Sequence, residues 1–248
     1  MKSKVGYERL IKITLYLLIA TCSLLIFIAC ENQIIIGLTD HMFCKDCERA
    51  NVKCICSPGL SYKLGDIGPG GGIIFYVADG KEGRPFGFTV QMEPSSNNYT
   101  AHYLEAAPAG WYGTPVDPQI NWATTGSTAA TTFLGTAEGL GTGRRNTSII
   151  IAEDGGASAA RDCFNYGTAP YKDWFLPSYD EIVLLSQQQS IVGGIVDITG
   201  LNSYWTSTEP SDGVGATAAR RLYVFDGSFV GHGSKGSANA YVRPIRAF

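Results

Sequence analysis

Apolar positions follow three patterns along this chain. Residues 10–29 are an almost unbroken apolar run, Ile13 to Ala20 and then Leu24 to Ala29, preceded by Lys2, Lys4, Arg9 and Lys12. From residue 61 onward the pattern changes to short β-branched and aromatic runs separated by Gly, Pro and Asn, which predict strands at 73–77, 86–92, 102–107, 203–207, 218–225, 229–231 and 241–246. Between these lie segments with helical spacing. Asn146 is placed to cap a helix through Ile151. Residues 157–166 put Ala160, Cys163 and Phe164 on one face. In 177–189, Ser178 is the N-cap and Glu181 closes a capping box ahead of the stripe Ile182, Leu184 and Leu185. Residues 110–143, rich in Gly, Thr and Ala, read as loop. Helices in the middle and an antiparallel sheet drawn from both ends make the body α+β.

The first pattern is an address. A basic start, an apolar run and a small residue at the end form an export signal. The order Phe27-Ile28-Ala29-Cys30 resembles a bacterial lipobox, with Phe27 and Ile28 in place of the usual Leu and Ala or Ser. The resemblance implies cleavage before Cys30 and lipid on its thiol. Left uncleaved, the same run is nearly long enough to anchor the chain, since a span takes about 20 residues. Either way the body is exported. Residues 1–29 are therefore assigned as signal peptide or anchor, 30–60 as a tether, and 61–248 as the folded domain. The expected location is the bacterial cell envelope, held by lipid and exposed at the surface, with the membrane as one partner.

The tether carries Cys44, Cys47, Cys54 and Cys56. Four close cysteines in an exported chain read first as two disulfides. A small zinc knot and free thiols are the other readings, although zinc ribbons space their pairs farther apart. Cys163 stands apart and reads as a small core residue.

Charge and motifs narrow the function. From Ser61 to Phe248 there are 12 Lys and Arg against 17 Asp and Glu, a net charge near −5. A polyanion binder is basic on one face, and only Arg144-Arg145 and Arg220-Arg221 form basic doublets, so nucleic acid is not an expected partner. The run Gly68-Pro69-Gly70-Gly71-Gly72 is not a phosphate loop, because a strand follows it and no Gly-Lys-Ser/Thr ends it. His41, His102 and His232 are far apart and no Gly-x-Ser-x-Gly elbow occurs. No enzyme, cofactor or metal is expected.

Several ordered motifs carry a resemblance. They are Gly65-Asp66-Ile67-Gly68-Pro69-Gly70-Gly71-Gly72-Ile73-Ile74-Phe75-Tyr76, then Tyr103-Leu104-Glu105-Ala106-Ala107-Pro108, then Asp173-Trp174-Phe175-Leu176-Pro177-Ser178 with Asp180-Glu181. Tyr204-Trp205-Thr206-Ser207-Thr208-Glu209 and Val242-Arg243-Pro244-Ile245-Arg246 complete the set. Together they resemble the domain that ends the Legionella collagen-like protein, a family distantly similar to the C-type-lectin and formylglycine-generating-enzyme fold. The resemblance spans residues 64–248. It implies a C-type-lectin-like mixed domain on an exported or surface-attached protein. It also implies an adhesin-like binding module without a catalytic residue set. The enzymes of the wider fold need reactive cysteines late in the domain, and only Cys163 is present. Trp174 and Trp205 are read as core anchors. Arg243 and Arg246 are read as sharing one face of the last strand and pairing with Asp173, Asp180 or Glu181.

The expected function is therefore non-catalytic binding of carbohydrate or host matrix. A structural envelope lipoprotein with protein partners is the alternative. Candidate ligand contacts are Trp111, Trp122, Tyr204, Glu209, Asp212, Arg220 and Arg221, because Trp and Tyr stack on sugars while Asp, Glu and Arg hydrogen-bond to them. Glu209-Pro210-Ser211-Asp212 echoes the Glu-Pro-Asn of sugar-binding C-type lectins but lacks their Trp-Asn-Asp partner, and calcium wants six to eight oxygens. A turn is the plainer reading there.

Overall fold

The run Ile73–Val77 forms the first strand, β1, as its β-branched and aromatic content predicts. The structure is a computed structural model that describes residues 62–196, 202–223 and 229–248. The signal segment, Cys30 and the cluster Cys44, Cys47, Cys54 and Cys56 lie outside the described residues. After β1 come β2 (Phe88–Val90), β3 (Tyr99–Ala101) and β4 (Tyr103–Ala106). The helices are α1 (Thr128–Thr131), α2 (Gly143–Asp154), α3 (Ala159–Asn165), α4 (Tyr179–Ser186) and α5 (Gln189–Val192). Strands β5 (Tyr204–Trp205), β6 (Ala218–Tyr223), β7 (Phe229–Ser234) and β8 (Ile245–Ala247) close the chain. The fold is mixed α+β, and every paired strand is antiparallel.

The strands form sheets in the orders β1-β4-β8, β2-β3 and β5-β6-β7. In the first, Leu104 of β4 pairs with Ala247, while its other edge pairs Ile73 with Ala106 and Val77 with Tyr103. The beginning and end of the domain are thus joined through one central strand. The C-terminal segment also stitches this sheet to its neighbours. Tyr241 bridges to Gln119 and Tyr204, and Ile245 bridges to Phe175.

Sheet β5-β6-β7 separates two apolar cores. Successive side chains on a strand point to opposite faces. Tyr204 and Leu222 enter the first core with Phe75, Leu104, Ile182, Leu185 and Ile245. Trp205 and Ala219 enter the second with Trp122, Ile150, Cys163, Leu176 and Val242. Trp174 and Trp205 are both buried, as core anchors are.

Several local expectations change. Asn146 does not cap α2; the N-cap position is Thr142 and Asn146 sits buried inside the helix. Its side chain accepts from the Ala137 N–H and donates to the Ala137 carbonyl and Ser207 Oγ, so it ties a loop to the helix. The predicted helix over 177–189 divides into α4 and α5. Its capping box is present, with Ser178 Oγ accepting from the Glu181 N–H. Strand β8 starts only at Ile245, because Pro244 has no N–H to give a ladder. Arg243 therefore precedes β8. It and Arg246 do not share a face: they lie three residues apart across Pro244 and reach different acids.

Candidate functional site

Three buried carboxylates order the loops around the sheets. Glu105 on β4 accepts from the N–H groups of Gly70 and Gly72 at 3.1 and 2.9 Å and from Arg246 Nη1 at 2.7 Å. The glycine run is thus an anion-holding nest filled by the protein's own carboxylate. A Cβ at Gly70 would stand 2.7 Å from Glu105 Oε1 and 2.8 Å from the Trp174 ring, so only glycine lets the backbone wrap that close. Glu209 accepts from the Leu134 and Thr136 N–H groups and, at 2.5 Å, from Lys235 Nζ, which also sits 4.8 Å from the Trp122 ring centre. Burial pulls the Lys235 pKa down, against its bond to Glu209. Glu181 accepts from the Gly141 and Ser178 N–H groups, and burial pushes its pKa up to about 7.

A fourth carboxylate completes an ion-pair knot. Asp117 takes Arg243 Nε at 2.8 Å, the Tyr204 hydroxyl at 2.6 Å and Trp111 Nε1 at 3.0 Å. Burial raises the Asp117 pKa despite these donors. Arg243 spends its remaining donors on the carbonyls of Ala107 and Gly194. Arg246 reaches Asp173 at 2.5 Å as well as Glu105, while Asp180 is exposed and Glu181 is held by backbone.

The sequence-derived ligand candidates separate accordingly. Trp122, Tyr204 and Glu209 are buried and fully engaged, so they present no face to a ligand. They are corrected from ligand contacts to interior supports. The sequence signal that singled them out was residue type, and residue type does not distinguish a loop from a core. Asp212 is exposed, 4.0 Å from His232 Nδ1, while Glu209 points inward to Lys235, so the Glu-Pro-Ser-Asp turn does not gather two carboxylates. No group of three His, Cys, Asp or Glu suited to a metal occurs among the described residues. Arg220 and Arg221 take opposite faces of β6. Arg220 pairs with Glu138 at 2.7 Å and lies over Tyr179, while Arg221 lies over Tyr223. Arg144 and Arg145 are paired with Asp173 and Glu93. Neither doublet is a free basic patch. Cys163 is buried, and burial raises its thiol pKa well above the ordinary value, so the reactive thiolate is disfavoured.

Trp111 keeps its candidacy and gains neighbours. Its ring meets Tyr112 edge-on at 5.1 Å and Tyr166 at 5.6 Å, and Tyr166 meets buried Trp174 at 4.9 Å. The series runs from Tyr112, which is 48% exposed, to Trp174, which is 1% exposed. The Tyr112 hydroxyl donates to Asp162 at 3.3 Å, and the Trp111 indole is fixed by Asp117. This is an aromatic rim whose rings are held from below.

A separate concavity, away from the rim, was not visible in the sequence. A cleft of about 360 Å³ lies between β1, the turn carrying Asp79 and Arg84, and the end of α4. Its walls come from three separate segments, around residues 62–64, 75–84 and 184–188. No local motif marks residues that only the fold brings together.

Among the described residues no helix is long and apolar enough to cross a membrane. No family model, no curated protein and no solved structure matches the chain.

Proposed function

We propose that this chain is a surface-attached lipoprotein that presents a non-catalytic, C-type-lectin-like binding module for carbohydrate or host matrix. The observation that carries the reading is the aromatic rim Tyr112–Trp111–Tyr166 braced on Trp174. Rings fixed before binding lose little freedom when a ligand stacks on them. The C–H face of a pyranose ring is apolar and suits such a surface, and Asp162 beside the Tyr112 hydroxyl accepts hydrogen bonds from sugar hydroxyls. Joining of the two domain ends through β4 supports the lectin-like reading of the fold. The engagement of Glu105, Asp117 and Glu209 in buried ion pairs supports binding over catalysis, because those carboxylates are already committed to the scaffold.

The test is a glycan array probed with the full chain in detergent, wild type against Tyr112→Ala. Wild type should bind a restricted set of glycans, and the variant should bind the same set about two- to tenfold more weakly, the range expected for one aromatic contact. Absence of any glycan signal, with capture of an envelope protein instead, would favour the structural-lipoprotein reading.

A further inference from the structure

The cleft between β1 and the end of α4 has the chemistry of a second binding site. Its lining includes Tyr76, whose ring packs on Phe88 at 6.1 Å and which is itself 7% exposed. Tyr76, Gln187 and Gln188 are among the residues lining the cleft, and the Tyr76 hydroxyl and the two side-chain amides have no hydrogen-bond partner among the described residues. On one side Arg84 is fixed by Asp79 at 3.1 Å and by Glu82 at 2.8 Å. On the other, Tyr62 is held edge-on against Tyr103 at 5.4 Å and Phe248 at 5.5 Å.

These features select a ligand class. Lys63 lines the cleft as well, and the two cations Lys63 and Arg84 are offset by the two acids Asp79 and Glu82, so the wall offers no strong net attraction for a polyanion. The neutral polar side chains of the lining donate and accept at once: the phenols of Tyr62 and Tyr76 and the carboxamides of Gln187 and Gln188. A sugar hydroxyl also donates and accepts, and vicinal hydroxyls suit a planar carboxamide. The volume is at the small end of the range for small-molecule sites. We infer that this cleft is a binding subsite for a neutral sugar of one or two rings, held by the Tyr76 hydroxyl and the amides of Gln187 and Gln188. The inference rests on the carbohydrate-binding reading above and adds to it a site distinct from the Trp111–Tyr112 rim.

The experiment uses the full chain in detergent and a panel of methyl glycosides of neutral hexoses and N-acetylhexosamines, with methyl glucuronide as the acidic member. Saturation-transfer NMR finds the binders and calorimetry gives Kd. Tyr76→Phe keeps the ring against Phe88 and removes only the hydroxyl; Gln188→Ala alters a partly exposed side chain and leaves the core intact. Each should raise Kd for the best neutral glycoside about two- to tenfold, the effect of one lost hydrogen bond, with an unchanged melting curve. Tyr112→Ala should leave this Kd unchanged. Weakening by Tyr112→Ala alone would place the sugar on the aromatic rim and overturn the cleft while sparing the lectin reading. Preference for the glucuronide would overturn the neutral ligand class. Failure of every glycoside and of the array together would overturn both readings.

Discussion

At the scale of single residues, this protein places charge inside and arranges donors around it. The knot of Asp117, Arg243, Tyr204 and Trp111 joins three distant segments through hydrogen bonds of 2.6 to 3.0 Å. A buried pair of this kind contributes little over a well-packed apolar pair, yet losing one partner strands the other. Arg243→Ala should therefore destabilise the fold by about 3–5 kcal/mol, read as a lower midpoint in urea denaturation. A loss under 1 kcal/mol would show that water relieves Asp117. The same knot connects to the surface, because Asp117 fixes the Trp111 indole. Its loss should loosen the aromatic rim as well as the core.

At the scale of elements, Glu181 shows how a cap joins helix to loop. It closes the capping box of α4 and also takes the N–H of Gly141, so it holds the start of α2 against α4. Burial raises its pKa from 4.5 to about 7, while the backbone donors act in the opposite direction. In this range the folded state binds a proton that the unfolded state has released. The stabilisation is thus complete below pH 4.5 and lost as pH rises through about 7. The shift bounds the loss at about 3 kcal/mol. Glu181→Gln cannot ionise, and its amide nitrogen cannot accept from a backbone N–H, so it should be less stable at every pH. The advantage of wild type over this variant should shrink between pH 4.5 and above 7, measured as the difference in melting temperature. A constant difference would show that the backbone donors keep Glu181 ionised throughout.

At the scale of the molecule, the fold explains why a body of net charge near −5 has no broad basic face. Both arginine doublets are divided, by strand alternation on β6 and by separate acid partners on α2. Neutral ligands or protein partners fit that surface better than polyanions do. The proposed attachment rests on Cys30. Radiolabelled palmitate should enter wild type and not Cys30→Ala, and equal labelling of both would remove the lipid anchor from the proposal. Two or more acyl chains hold firmly, since each buried methylene contributes about 0.8 kcal/mol.

Most of the order of strands and helices was legible because period and turn chemistry are local, while α1 lies in the stretch 110–143 read as loop and β3 lies ahead of the strand predicted from 102. The run 73–77, the Ser178–Glu181 box, the α3 helix and the Gly-rich turn before β1 all follow from neighbours within a few residues. Composition likewise set the charge and the cysteine groups. Boundaries shifted where a distant partner intervened: Asn146 left its capping role for Ala137 and Ser207, and Pro244 cut β8 short. The candidate site was legible only in part. Trp111 belongs to the aromatic rim, while Trp122, Tyr204 and Glu209 belong to the interior, and nothing within a few residues of each separates the two cases. The sequence by itself determined the α+β class and most of the element order. Tertiary structure alone decided which aromatics face water, which acid each arginine meets, and that residues 62–64, 75–84 and 184–188 share one cleft, because burial and pairing depend on contacts between segments far apart in the chain.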